Sequence, residues 1–193
     1  RLYLRKDENG EICPIVSTSF YKFVKKNQKL IENYIDYNRD YYIDFFGFKT
    51  LEKSYLLKVG KEIIERPQDL FMRVAIFLHM GSSTKEWKNP EILDNIFETY
   101  DLISNKYFTH ATPTLFNSGL TRPQLASCYL LGTEDSLEGI FKTATDCAHI
   151  SKWSGGIGFH LSNWRSSGSL IRGTGGNSSG IIPFLKIFEK IAI

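Results

Sequence analysis

Cysteine is scarce in this chain: Cys13, Cys128 and Cys147 are an odd number, widely spaced, with no CxxC pair, so neither a disulfide framework nor a cysteine zinc site is expected. The four histidines, His79, His110, His149 and His160, show no HExxH pairing, and no metal site is expected from them. Long apolar runs are also missing. The longest, at residues 74–78, is far short of the ~20 residues a membrane span requires, and the opening RLYLRKDENGE lacks the apolar centre of a signal peptide. Charge of one sign is lacking too. The net charge is +3, and bases alternate with acids in KKNQKLIEN and KVGKEIIER, as on an ordinary solvated face, which argues against nucleic-acid binding. Neither Ser118 nor Ser127 lies in a GxSxG context, which removes a hydrolase elbow; GxGxxG and GxxxxGK[ST] are likewise absent. These absences leave a protein of a reducing compartment, expected to be cytoplasmic.

What is present is a core-forming composition, 42% apolar over 193 residues, with helical periodicity in its first part. Pro67 opens a predicted helix with Leu70, Phe71, Val74, Phe77 and Leu78 on one face, ended by Gly81. Asn89 and Pro90 start another, with Ile92, Leu93, Ile96, Phe97, Tyr100 and Ile103 inward. Beyond about residue 107 the pattern changes to apolar strands around one clear helix, begun by Asp135 or Ser136, with Leu137, Ile140, Phe141, Ala144 and Ala148 on one side. A last helical pattern, Phe184, Ile187, Phe188 and Ile191, is opened by Pro183 and has no closing cap; together with the initial arginine it is expected of a portion of a longer protein. The fold class predicted is α/β, a helical region followed by the opening of an α/β domain.

Two stretches carry chemistry. Residues 110–132, HATPTLFNSGLTRPQLASCYLLG, place Cys128 in an apolar run at 124–131 of the length of a buried strand, where a thiol serves either packing or reaction. Between positions 155 and 180 the chain holds eight of its 15 glycines, so the backbone there either forms a loop or approaches something closely. Lys152, Arg165 and Arg172 lie in or beside this stretch. Fixed cations with free backbone amides suit phosphate oxygens.

With YYIDFFGFKTLEKSYLLKVGKEIIERPQ at 41–68 and SKWSGGIGFHLSNWRSSGSLIRGTGGNSSGIIP at 151–183, these strings resemble the large, catalytic subunit of class I ribonucleotide reductase. The resemblance implies a helical N-terminal domain over 1–107 and the start of a ten-stranded α/β barrel, incomplete, over 108–193. An ATP-binding cone, where a family member has one, precedes this region. The implied activity is reduction of ribonucleoside diphosphates to deoxyribonucleoside diphosphates, an allosteric step of deoxyribonucleotide biosynthesis that feeds DNA replication. A thiyl radical takes the 3′-hydrogen, and two thiols become a disulfide as the 2′-hydroxyl leaves as water.

Cys128 matches one thiol of that redox pair; Thr112 and Ser127 match substrate contacts, and Gly156 is placed beside them. Side chains at 127 and 128 of a regular strand point to opposite faces, so both reach one site only at a strand end or bulge. Asp135, Ser136 and Leu137 match the nucleotide-effector positions, with the aspartate on ribose hydroxyls; Lys152, Arg165 and the backbone around Ile171 and Arg172 match further effector contacts. Asp135 and Ser136 also suit plain N-capping, and the two roles are compatible. Cys147 is expected to pack, and Cys13 has no role. No cofactor is expected in this chain. The effectors are ATP or deoxynucleoside triphosphates, and the radical comes from the metal cofactor of the small subunit. Partners implied are that small subunit, a second large subunit, thioredoxin or glutaredoxin, and the nucleoside diphosphate substrate, with neither DNA nor membrane. The competing expectation, from another class, is a stand-alone nucleotide-binding regulatory module without catalysis.

Overall fold

The computed structural model describes residues 1–81, 84–153 and 155–191. Two compact units make up the chain, Arg1–Leu125 and Ala126–Ile193.

In the first unit, helices α1 (Thr18–Lys26), α2 (Gln28–Tyr34) and α3 (Phe45–Ser54) precede a small antiparallel pair, β1 (Lys58–Val59) and β2 (Glu62–Ile63). They are followed by α4 (Pro67–His79), α5 (Glu91–Ser104) and the short α6 (Thr112–Asn117). Helix α4 begins at Pro67, whose fixed φ suits a first turn, and the Asp69 carboxylate accepts the Arg66 N–H at 2.9 Å. Gly81, at φ +69°, follows its end.

The face predicted for α4 is too narrow. Leu78 is 37% exposed, whereas Met72, Ala75 and Ile76 are buried. The reason is that α4 has neighbours on two sides. Phe20, Phe23, Ile31, Ile96 and Tyr100 enclose Met72, Ala75 and Ile76, while Ile103 and Leu115 enclose Val74. In α5 the expected inward set holds, with Ile96, Tyr100 and Ile103 buried and Ile92, Leu93 and Phe97 packed beside them.

The division between the units falls after Leu125, later than the change of pattern near residue 107. Residues 112–117 form helix α6, which packs on α4, and the backbone beyond it bridges Leu120 to Val16. That segment therefore belongs with the helices.

The second unit is a β–α–β turn of chain: β3 (Cys128–Leu131), α7 (Leu137–Ser151) and β4 (Gly156–Phe159), with the strands parallel and Cys128 opposite Gly156. Helix α8 (Ile182–Ile191) follows. The core is formed by Ile140, Ala144, Cys147, Trp164 and Phe188, with Leu131, Ile157 and Phe159 packed against it.

Two expectations are corrected here. The run at 124–131 is strand only from Cys128 and is not a buried strand: Cys128 is exposed and Leu130 is 90% exposed, with Tyr129 and Leu131 facing the helices. In α7 the buried side is Ile140, Thr143, Ala144 and Cys147, whereas Leu137 and Phe141 are 60% and 47% exposed and Ala148 is also exposed. Thr143 disguised that side in the sequence. Its hydroxyl donates to the Gly139 carbonyl at 3.0 Å, so a polar residue is buried without an orphaned group. No helix among the described residues is long and apolar enough to cross a membrane.

Candidate functional site

At the start of α7 the second unit forms an open-sided cavity of about 290 Å³, lined by Asp135, Ser136, Leu137, Trp164, Arg165 and Ile171, with Ser178, Gly180 and Phe184 along its wall. Local chemistry explains why these residues meet. Ser136 is the N-cap, its hydroxyl oxygen accepting the Gly139 N–H at 3.0 Å. Asp135, one position earlier, receives Arg165 through Nε at 2.7 Å. The guanidinium also donates from Nη2 to the Asp135 carbonyl at 3.2 Å.

The glycine-rich stretch is an ordered loop. Ser178 N–H donates to the Ser169 carbonyl and Ile171 N–H to the Gly176 carbonyl, each at 2.8 Å, so its two arms are tied together. At its tip Gly173 and Gly175 adopt φ of +94° and +69°, where a side chain would be strained. The loop brings Ile171 to the cavity while Arg172 stays exposed at the tip.

Of the expected effector residues, Asp135, Ser136, Leu137, Arg165 and Ile171 therefore share one cavity. Lys152 does not. It caps the opposite end of α7, about 22 Å along a 15-residue helix, where its ammonium lies over the Trp153 ring at 5.7 Å. Trp164, Ser178 and Gly180 also line the cavity with no motif pointing to them, and Phe184, expected only on a helix face, joins them. Only Trp164 carried a signal, as a large aromatic next to Arg165.

Cys128 occupies the opposite face of the β3–β4 pair from the helices. It is a free, exposed thiol. Its register partner is Gly156, whose N–H donates to the Ser127 carbonyl at 2.7 Å. A side chain at Gly156 would begin 3.2 Å from that carbonyl, so glycine keeps the backbone beside the thiol uncovered. Ser127 precedes the strand and is half-buried, and it alternates with Cys128 as the pleat requires. Cys147, by contrast, is buried on α7, and burial first, then neighbouring Asp146, pushes its thiol pKa up, away from reactivity. Among the described residues no group of three or more His, Cys, Asp or Glu side chains could hold a metal.

In the first unit, Thr112 opens α6 and is exposed, its Oγ1 lying 3.1 Å from the Tyr55 hydroxyl. Two residues earlier, His110 has a buried Nε2 without a partner, and burial lowers its pKa, which favours the neutral ring.

Residues 41–123 match the family described as ribonucleotide reductase, all-alpha domain, and residues 126–193 match ribonucleotide reductase, barrel domain. The chain belongs to the ribonucleotide reductase large-subunit family. The ribonucleoside-diphosphate reductase large chain of Cryptosporidium parvum is 49% identical over 193 residues, all of this chain and 23% of the relative. The large subunit of Acanthamoeba polyphaga mimivirus is 52% identical over 192 residues, 100% of the chain and 21% of the relative. That of Monkeypox virus is 49% identical over 186 residues, 96% and 23%. The chain thus spans less than a quarter of the length of these reductase subunits. The family boundary between 123 and 126 coincides with the division of the two units.

Proposed function

We propose that this chain is part of a catalytic subunit that reduces ribonucleoside diphosphates to deoxyribonucleoside diphosphates under nucleotide control. One observation carries the reading: five of the residues expected to hold an effector converge on one cavity, while the expected redox cysteine of the same β–α–β unit is a free thiol on its open face.

In this reading Cys128 is one of two thiols oxidised to a disulfide as the ribose 2′-hydroxyl leaves as water, and thioredoxin or glutaredoxin restores them. The small subunit's metal cofactor supplies the starting radical, and no residue here is assigned to hold it. Thr112 donates to the substrate diphosphate, and Ser127 and Gly156 contribute backbone beside the thiol. Asp135 accepts from the sugar hydroxyls of ATP or a deoxynucleoside triphosphate, while Arg165, Arg172 and the loop backbone beyond Ile171 face its phosphates, the Ile171 N–H itself being bound to the Gly176 carbonyl.

Lys152 stands at the far end of α7, so it joins a nucleotide in such a cavity only from a second copy of the chain. A homodimer packed along α7 would also cover the exposed Leu137 and Phe141.

The test is a diphosphate-reduction assay on the full-length large subunit with its small subunit and a dithiol reductant. Cys128→Ser should abolish turnover while deoxynucleoside triphosphate binding persists. Undiminished turnover would overturn the assignment.

A further inference from the structure

Helix α6 has six residues, too few to hold its own geometry, yet it carries Thr112 at its first position. Two side chains hold it. At its carbonyl end the buried Arg73 donates from Nη2 to the Leu115 carbonyl at 3.1 Å and from Nη1 to the Ser118 carbonyl at 2.7 Å. At its amino end the Tyr55 hydroxyl lies 3.1 Å from Thr112 Oγ1, and the Tyr55 ring stacks on Phe116 with centroids 4.7 Å apart and planes within 2°.

Both holds lead back to one buried carboxylate. Glu65 accepts from Arg73 Nε at 2.6 Å through Oε1 and from the Leu57 N–H at 3.0 Å through Oε2. The same group therefore fixes α6 and the chain two residues after Tyr55. The Tyr55–Thr112 distance is set from both sides.

A threonine hydroxyl has one proton and two lone pairs. If that proton is given to Tyr55, none remains for an anionic oxygen. If Tyr55 donates instead, a lone pair is filled, the threonine proton is directed outward, and the chained bonds strengthen each other. We propose that Tyr55 is a positioning residue for substrate: it donates to Thr112 Oγ1 and so keeps the Thr112 hydroxyl poised to donate to a phosphate oxygen of the nucleoside diphosphate. This rests on the reading of Thr112 as a substrate contact given above.

Tyr55→Phe is a sparing test, because it removes the hydroxyl and keeps the ring stacked on Phe116. In the full-length large subunit, assayed with its small subunit and reductant, Tyr55→Phe should raise KM for the diphosphate about three- to tenfold, with kcat little changed. Thermal stability and deoxynucleoside triphosphate affinity should stay as in wild type, which a merely structural role would not guarantee. In a Thr112→Val background the added Tyr55→Phe should change nothing further, and Thr112→Ser, which keeps the hydroxyl, should restore sensitivity to Tyr55→Phe. If Thr112→Val raises KM and Tyr55→Phe does not, the positioning role is overturned while Thr112 keeps its assignment. An equal effect of Tyr55→Phe with and without the Thr112 hydroxyl also overturns it. If Thr112→Val leaves KM unchanged, the substrate reading falls and the proposal falls with it.

Discussion

Arg165 and Asp135 neutralise each other at the mouth of the cavity, with the guanidinium on both the carboxylate at 2.7 Å and the carbonyl at 3.2 Å of one residue. The pair is about one-third exposed on each side, so water screens it and a ligand can exchange with it at modest cost. A nucleoside triphosphate offers the matching partners, phosphate oxygens for Arg165 and ribose hydroxyls for Asp135.

Asp135→Ala should therefore weaken deoxynucleoside triphosphate binding to the full-length subunit by about tenfold, because the ribose acceptor lost outweighs the competing carboxylate removed. Arg165→Lys should weaken it too, since an ammonium keeps the charge but not the planar fork. Equilibrium titration with a deoxynucleotide measures both, and wild-type affinity in either variant would refute the assignment of that residue.

The thiols make a second prediction. In residues 1–193, brief alkylation under native conditions should modify Cys128 and Cys13, which are exposed, and spare Cys147, which is buried with its pKa raised by burial. Mass spectrometry of the digested protein gives the answer. Labelling of Cys147 at the rate of Cys128 would contradict the packing of α7.

Much of this architecture is legible in the sequence, and the exceptions share a cause. Helix α5 follows its periodicity because one side meets the core and the other meets water. Helix α4 does not, because neighbours on two sides bury Met72 and Ile76 off the predicted stripe. Helix α7 misled because its inward face includes Thr143, and the more apolar Leu137 and Phe141 lie outside. Periodicity reports one apolar face and is silent about a second neighbour or a self-satisfied hydroxyl. At the cavity, Asp135 and Arg165 were legible as a motif. Ser178 and Phe184 were not, since only the tied loop carries the chain back to them.

Arg73 and Glu65 form a buried ion pair, their side chains 4% and 5% exposed, and both members have further hydrogen bonds. Removing one partner strands the other charge away from water. Arg73→Met should destabilise the first unit by about 3–5 kcal/mol, visible as a lower urea midpoint. A loss below about 1 kcal/mol would mean that the pair behaves like a surface bridge.

His79 contributes pH dependence. Burial lowers its pKa from the usual 6.5, against a smaller opposing pull from Glu98, and its Nε2 lies 2.7 Å from Thr99 Oγ1. The folded pKa lies below the unfolded one, so the stabilisation is present above the unfolded value and is lost as pH falls through the folded value. Lowering the pH from about 7.5 to about 5 should lower the melting temperature of wild type more than that of His79→Gln. Parallel melting curves for the two would exclude His79 as a contributor.

The last prediction concerns what these residues can do alone. The mechanism proposed above needs a thiol pair and a thiyl radical, three cysteine roles, and only Cys128 is matched to one of them. Cys147 is committed to the core of the second unit, and the thiols are free. The described sheet around Cys128 has two strands, each four residues long, a size that is marginal in water and leaves hydrogen-bonding edges open. In the Cryptosporidium relative the matched region is 23% of the subunit. Residues 1–193 should therefore bind nucleotide weakly and show no ribonucleotide reduction, even with small subunit and reductant present. Activity should appear only when the rest of the large subunit is supplied, covalently or as a second chain. Deoxynucleoside diphosphate formation by residues 1–193 alone would refute both the division of cysteine roles and the need for the larger barrel.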